Sequence, residues 1–222
     1  MLEHLGIIAD GNRRWAKAQG LPTIEGHKKG LEAIEKIVDA ASAAGIRYVT
    51  FYVFSTENWG RSTEEVSYIM KLAETRLLKY AEKLAKNNAR MLVLGSHARI
   101  SPKLMSTIER AEKLTAECTG ITVCFCFNYG GEQEIADAAS IAAEVEGEIT
   151  PATIRAHLYH PEVPDVDMVV RTSGEERISG FMLWRVAYAE FWFVKKYFPE
   201  MGAEDVENIL KEYEKRNRRF GK

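Results

Sequence analysis

Four clusters of residues carry the types needed for chemistry: Asp10-Gly11-Asn12-Arg13-Arg14, Ser55-Thr56-Glu57-Asn58-Trp59, Asn128-Tyr129-Gly130-Gly131 and Arg171-Thr172-Ser173-Gly174-Glu175. Each follows directly on a short apolar run. Arginine presents fixed donors that match phosphate oxygens in pairs, and Arg14, Arg171 and Arg177 are placed to supply them. Gly11 and Asn12 open a segment of helical pattern, whose first N–H groups and positive dipole end suit the same anion. Asp10 by itself would repel a phosphate. One or two carboxylates acting together with substrate phosphates are, however, a usual way to hold Mg²⁺, which gives an aspartate a reason to stand there. The chemistry implied is phosphate recognition.

The elements that must position these clusters follow from the apolar pattern. Strand candidates are "HLGIIAD", "IRYVTFYVFS", "RMLVLGS", "ITVCFCFNY" and "VDMVVRT", with a weaker one at "EFWFV". Between the second and third, Ser62 followed by Glu65 marks a capping-box helix start. Val66, Ile69, Ala73, Leu77 and Leu84 then recur on one face. Ser101-Pro102 and Thr150-Pro151 mark two further helix starts. Strands alternating with helices predict an α/β fold: a single domain over residues 1–222, with a central, mostly parallel sheet of about six strands flanked by helices. In such sheets ligands bind beyond the carboxyl ends of the strands, where all four clusters fall.

Composition narrows the function classes. A net charge of −2 and 46% hydrophobic residues fit one soluble core and give no general attraction to nucleic acid. Cys118, Cys124 and Cys126 leave an odd thiol and no metal-type spacing, as expected of buried small residues in a reducing compartment. With no leader pattern before the first strand and no apolar run of bilayer length, a cytoplasmic protein is expected. Individually, each site residue has a plainer reading. Asp10 caps the following helix, Arg13 and Arg14 are a solvated pair, Trp59 is a core or lid aromatic, and Gly130-Gly131 is a turn. Glu190, a lone carboxylate inside "AYAEFWF", calls for a partner or a function, and His27 is open between helix-start hydrogen bonding and an active-site role.

In order along the chain stand "DGNRRWA", Gly26-His27, "FSTENW", "NYGG", "RTSGEERIS", "LWRVAYAE" and "RRFG". This series, spanning essentially the whole chain, resembles the cis-prenyltransferases of the undecaprenyl diphosphate synthase family. The resemblance implies a homodimer that uses Mg²⁺ to condense isopentenyl diphosphate onto an allylic diphosphate such as farnesyl or geranylgeranyl diphosphate, creating Z double bonds. It implies a hydrophobic tunnel beside the sheet, and peripheral contact with a membrane for product release. Position by position, Asp10 resembles the catalytic aspartate at the metal and the allylic diphosphate, with Gly11, Asn12, Arg13, Arg14 and Trp15 forming the cradle and His27 nearby. Ser55, Glu57, Asn58, Trp59 and Arg61 match a mobile catalytic loop, with Asn58 as a second catalytic residue. Arg171, Arg177 and Ser179 resemble the isopentenyl diphosphate pocket. Glu190 matches a second metal carboxylate, acting across the dimer interface. Arg219 and Gly221 match a terminal R-x-G that closes over diphosphate, and Val53, Ile69, Leu72, Ala73 and Ile121 match the tunnel wall.

Thr23 and Glu132 stand where many relatives have arginine, Gly180 replaces a frequent asparagine, and the lead before the first strand is shorter than usual. Two rivals within the resemblance are a short-chain Z-prenyl diphosphate synthase and a non-catalytic subunit. The second would be expected to lack Asp10 or the terminal R-x-G, and both are present. A nucleotide-binding α/β protein would show G-x-G-x-x-G or G-x-x-x-x-G-K-[ST] after the first strand, and an all-helical prenyltransferase a D-D-x-x-D motif. None of these occurs.

Overall fold

A computed structural model of the chain describes residues 1–216. The apolar runs form strands β1 (His4–Ile8), β2 (Tyr48–Ser55), β3 (Arg90–Leu94), β4 (Thr122–Tyr129), β5 (Met168–Arg171) and β6 (Glu190–Phe193). They make one sheet in the order β3-β4-β2-β1-β5-β6, and every neighbouring pair is parallel. The weak "EFWFV" run is thus a true strand, at one edge. The helices are α1 (Asn12–Ala18), α2 (Thr23–Ala43), α3 (Thr63–Lys86), α4 (Pro102–Thr115), α5 (Gly131–Val145), α6 (Pro151–Ala156) and α7 (Ala203–Glu214). Ser101 and Thr150 cap α4 and α6 by accepting hydrogen bonds from Leu104 N and Thr153 N, as their sequence patterns predict.

Alternation along the strands divides the core in two. Val49, Phe51, Val123 and Phe125 point into the layer that also buries Ile34, Ile37 and Ile209. Tyr52, Cys124 and Cys126 point to the other face, against Phe181 and Met182. Both faces of a parallel sheet are therefore covered, and the strands read as continuous apolar runs for that reason. Cys124 and Cys126 are buried and unpaired, and burial pushes the Cys124 thiol up to about 12.

The α3 expectation needs correction in two respects. Ser62 Oγ accepts from Glu65 N at 3.3 Å, but the returning half of the capping box is not formed, because the Glu65 carboxylate turns toward Arg61. On the apolar face Val66 and Leu84 are buried, whereas Ile69, Ala73 and Leu77 are only half-buried. That stretch faces a cavity.

Candidate active site

Register sets the site. Ile8 at the end of β1 lies beside Arg171 at the end of β5, so the turn after β1 meets the one after β5. Thr172, fully buried, staples them: its Oγ1 accepts from Asp10 N at 2.9 Å and donates to Asp10 O at 2.6 Å. Gly11, at φ +101°, makes the bend before α1, and a Cβ there would lie 2.7 Å from the Tyr197 ring. A second close approach, Gly26 against the carbonyl of Asn12, seats α2 on α1; a Cβ would fall 2.0 Å from that oxygen. These contacts aim Asp10, Asn12 and the first turn of α1 at one point.

Asp10 carries the centre of the charge network. Its carboxylate accepts from Arg171 Nη2 at 3.0 Å and pairs with Arg14 Nη2 at 3.2 Å. Burial resists its ionisation, but the Arg171 hydrogen bond and the charges of Arg14 and Arg171 overcome that and hold the carboxyl below the usual range. Arg171 also donates to Arg177 O and to Ser179 Oγ, at 2.5 and 2.9 Å. Glu175 joins Arg14 and Arg177 at 2.9 and 2.5 Å. On the other side of α1, Glu65 gathers Arg61 (2.9 Å), His27 (3.4 Å) and Arg13 (3.5 Å). His27 is held below its ordinary value, chiefly by burial, with Arg61 and Arg13 adding to the effect against the pull of Glu65.

The loop after β2 is ordered by its own turn. Ser55 N donates to Asn58 Oδ1 at 3.2 Å over the 3₁₀ segment Thr56–Gly60. Trp59 turns away from Asp10: its Nε1 donates to Asn128 Oδ1 at 2.7 Å and its ring lies under Arg99. Asn128, at φ +52°, in turn donates to Ser96 O and Ala98 O, so this part of the loop is tied to the ends of β3 and β4. Glu57 accepts from Thr56 Oγ1. Trp15 is half-buried on α1.

From Ala9, Asn12 and His27 a cavity of about 700 Å³ runs beside the sheet between α2 and α3. Val53, Ile69, Leu72 and Ala73 line it, together with Leu104, Ile108, Phe125 and Phe127. Ile121 does not: it lies before β4, packed in the core below, so its assignment to the tunnel wall is withdrawn.

Comparison with known proteins places this arrangement. The undecaprenyl diphosphate synthase family model, Prenyltransf, matches residues 8–221. The chain belongs to that family. It is 43% identical over 226 residues to the ditrans,polycis-undecaprenyl-diphosphate synthase, (2E,6E)-farnesyl-diphosphate specific, of Vibrio cholerae, covering 99% of this chain and 90% of that protein. It is 42% identical to the isoprenyl transferase of Neisseria meningitidis over 99% of this chain and 89% of that one. The crystal structure of lavandulyl diphosphate synthase from Lavandula x intermedia, in complex with dimethylallyl diphosphate, superimposes with a TM-score of 0.94 at 34% identity, covering 100% and 98% of the two chains. The protein is a prenyltransferase of the cis type.

Within this cis-prenyltransferase the remaining expected residues fall as follows. Glu190 opens β6 and aligns with Met168, three residues back from Arg171, so it stands about 10 Å from the level of Arg171 and farther from that of Asp10. In its own chain it pairs with Arg216 at 3.5 Å, apart from the Asp10 cluster. Arg219 and Gly221 lie outside the described residues. Thr23 is the exposed first residue of α2, and Glu132 is exposed in the first turn of α5. Gly180 sits at φ +76°, a region that glycine and asparagine both enter, so this departure preserves the backbone. Its carbonyl accepts from Gly131 N at 2.9 Å, locking the "NYGG" turn to the segment that carries Ser179.

Sequence reading gave no separate role to Thr172, Ser173 or the pair Arg185–Glu134, and took Glu65 only as part of a helix cap. Arg185 and Glu134 are both fully buried, 2.7 Å apart. Glu134 also accepts from Tyr129 Oη, and Arg185 donates to the carbonyls of Tyr159, His160 and Val163. The charge of Arg185 inside an aromatic segment was a local signal, whereas Glu134, in the polar first turn of α5, gave none.

Proposed function

We propose that the chain condenses isopentenyl diphosphate units onto an allylic diphosphate, in a Mg²⁺-dependent reaction, to give a Z-polyprenyl diphosphate of undecaprenyl type. It works as a cytoplasmic homodimer in peripheral contact with a membrane. One observation carries this reading: Arg14 and Arg171 on Asp10, with Arg177 tied to both through Glu175 and Arg171, adjoin an apolar cavity of about 700 Å³ that begins at Ala9 and Asn12. A prenyl diphosphate has the same two halves, a dianionic head and a branched hydrocarbon tail.

The chain's own residues account for most of the chemistry. Arg14 binds the departing diphosphate and stabilises charge that builds on it, where a fixed donor needs no reorganisation, while Arg171 belongs with the pocket for isopentenyl diphosphate. Arg177 and Ser179, tied to Arg171, hold the second diphosphate close to the first. Apolar side chains that line the cavity, such as Val53, Phe125 and Phe127, keep nucleophilic groups away from a cationic allylic end. Buried polar atoms with no partner, Ser173 Oγ and Arg171 Nε beside Asp10 and Asn12 Oδ1 toward Gly30 of α2, mark places for ligand atoms. Among the described residues no group of three metal-ligating side chains occurs. The residues therefore fit a Mg²⁺ ion held by Asp10 and substrate phosphates, with a partner subunit able to add Glu190, and the ion would supply further neutralisation of diphosphate charge. The homodimer is supported by β6, an edge strand whose Phe191, Trp192 and Phe193 are half-exposed.

The test is incubation with Mg²⁺, isopentenyl diphosphate and allylic starters of graded length, then sizing of the dephosphorylated products. A Z-polyprenyl series that disappears on chelation is expected. Absence of product with every starter would overturn the reading.

A further inference from the structure

The cavity is not closed. α2 and α3 are joined at one end by His27 and Glu65 and at the other by Glu35 and Lys83, at 3.4 and 2.9 Å. Between those two pairs several residues that line the cavity are also exposed: Lys28 and Leu31 on α2, Lys71, Arg76 and Lys79 on α3. A residue that does both marks an opening, so the cavity has a side window between the helices. The apolar part of its rim continues outward along α2, where Ile24 and Leu31 share one helical face and are each 38% exposed.

Capacity makes this window necessary to the proposed product. At about 30 Å³ for each carbon group, the liquid-volume share of a water molecule, 700 Å³ holds roughly two dozen carbons. An undecaprenyl chain is more than twice that length. The rest of the tail must leave the cavity while the diphosphate is still held at Arg14, and each methylene exposed to water opposes that exit.

The charge of the rim indicates what receives the tail. The chain as a whole carries −2, yet Lys28, Lys71, Arg76 and Lys79 stand together at the window. The two carboxylates on the same rim, Glu32 and Glu35, are paired with Lys29 and Lys83, and Lys28 is paired with Glu25, so the excess positive charge lies on Lys71, Arg76 and Lys79. Cations ringing an apolar opening complement an anionic lipid surface, which draws in basic side chains and offers hydrocarbon behind them.

We propose that the α2–α3 window docks on an anionic bilayer through Lys71, Arg76 and Lys79 and passes the growing tail sideways into the lipid. This rests on the condensation proposed above and names the surface that meets the membrane. The test is flotation of the purified chain with phosphatidylcholine vesicles, with and without phosphatidylglycerol. Wild type should bind the phosphatidylglycerol vesicles preferentially and release them as salt is raised. The triple variant K71Q/R76Q/K79Q should bind them roughly a hundredfold more weakly, from the contribution of three surface cations. Wild type that ignores phosphatidylglycerol, or a triple variant that floats like wild type, would overturn the assignment. Product formation by wild type in detergent, measured on the same preparation, reports on the condensation itself, so loss of one reading is distinguished from loss of the other.

Discussion

Replacing Asp10 with asparagine keeps the outline of the side chain and removes the charge that Arg14 and Arg171 share. The Arg171 side chain is 5% exposed and that of Asp10 29%, so the pair is partly screened. Its loss should destabilise by about 1–3 kcal/mol, less than the ~3–5 kcal/mol of a fully buried pair. For a chain of this size that lowers Tm by roughly 2–4 °C per kcal/mol. The native carboxyl titrates below its unfolded value, so its contribution is complete above the unfolded pKa and lost as pH falls through the folded one. The Tm gap between wild type and Asp10→Asn should therefore close in acid. Turnover should fall by about 10²–10³, equivalent to roughly 3–4 kcal/mol of transition-state stabilisation, and by more if the metal is displaced as well. Calorimetry separates the two roles of the carboxylate. Without Mg²⁺ the variant should bind inorganic pyrophosphate more tightly than wild type, because two guanidinium groups are released from a competing anion. With Mg²⁺ the order should reverse. Near-normal Mg²⁺-dependent turnover, or a change in pyrophosphate affinity that ignores the metal, would refute the role assigned to Asp10.

Arg185→Met should cost about 3–5 kcal/mol and strongly depress Tm, because it strands the Glu134 carboxylate in a fully buried site; a Tm near wild type would contradict that. His160 is held above its ordinary value: burial works against the charged form, but hydrogen bonding to Glu112 and the charges of Glu112 and Glu162 outweigh it. That stabilisation is full below the unfolded value of 6.5 and is lost as pH rises through the folded one, so the Tm deficit of His160→Asn should be larger below pH 6.5 than well above it. Val53→Ala opens about 60 Å³, some two carbon groups, in a cavity where one isoprene unit gains about 4 kcal/mol by burial and crowding by two methyl groups costs about 1–3 kcal/mol. Because the tail can leave by the α2–α3 window, the main product should lengthen by at most about one unit, and a shift of several units in product sizing would show that Val53 sets the length.

The sheet was legible because each strand had to be apolar on both faces. Phe51 and Val123 bury one side while Tyr52 and Cys124 bury the other, so the strands read as nearly continuous apolar runs, the buried Thr50 of β2 being paired with His4. The position of the site was legible for the same reason: in a parallel sheet all carboxyl ends face one way, and Asp10, Ser55 and Arg171 each stand at or just beyond such an end. What was hidden depends on contacts far apart in sequence. Thr172 serves Asp10 from 162 residues away, and nothing local distinguishes it from an ordinary strand-end threonine. Glu65 showed only its place in a capping pattern, and the pull of Arg61 and His27 overrides the reciprocal cap. Periodicity on α3 marked Ile69, Ala73 and Leu77 as apolar without saying whether the apolar partner was core or cavity. Ile121 shows the reverse error, since resemblance carried a wall position to a residue that packs below the floor.

Every arginine of the site has a carboxylate partner. Arg14 and Arg177 share Glu175, Arg171 holds Asp10, and Arg13 and Arg61 share Glu65. A guanidinium as buried as that of Arg171 would be costly without an acceptor, so carboxylates occupy the places that phosphate oxygens would take. Binding of a diphosphate is then an exchange of one anion for another. The exchange is easiest at Glu175, whose partners Arg14 and Arg177 are 43% and 61% exposed, and hardest at Asp10, which is held from the buried side by Arg171. On the function proposed above, a head group should displace Glu175 first while Asp10 stays in place, and the carboxylate left at the centre of the cationic cluster would be the one to share a metal with the incoming phosphate. The same order explains why an aspartate is tolerated in a phosphate site: it is anchored where the arginine framework needs it, next to the mouth of the cavity that takes the tail.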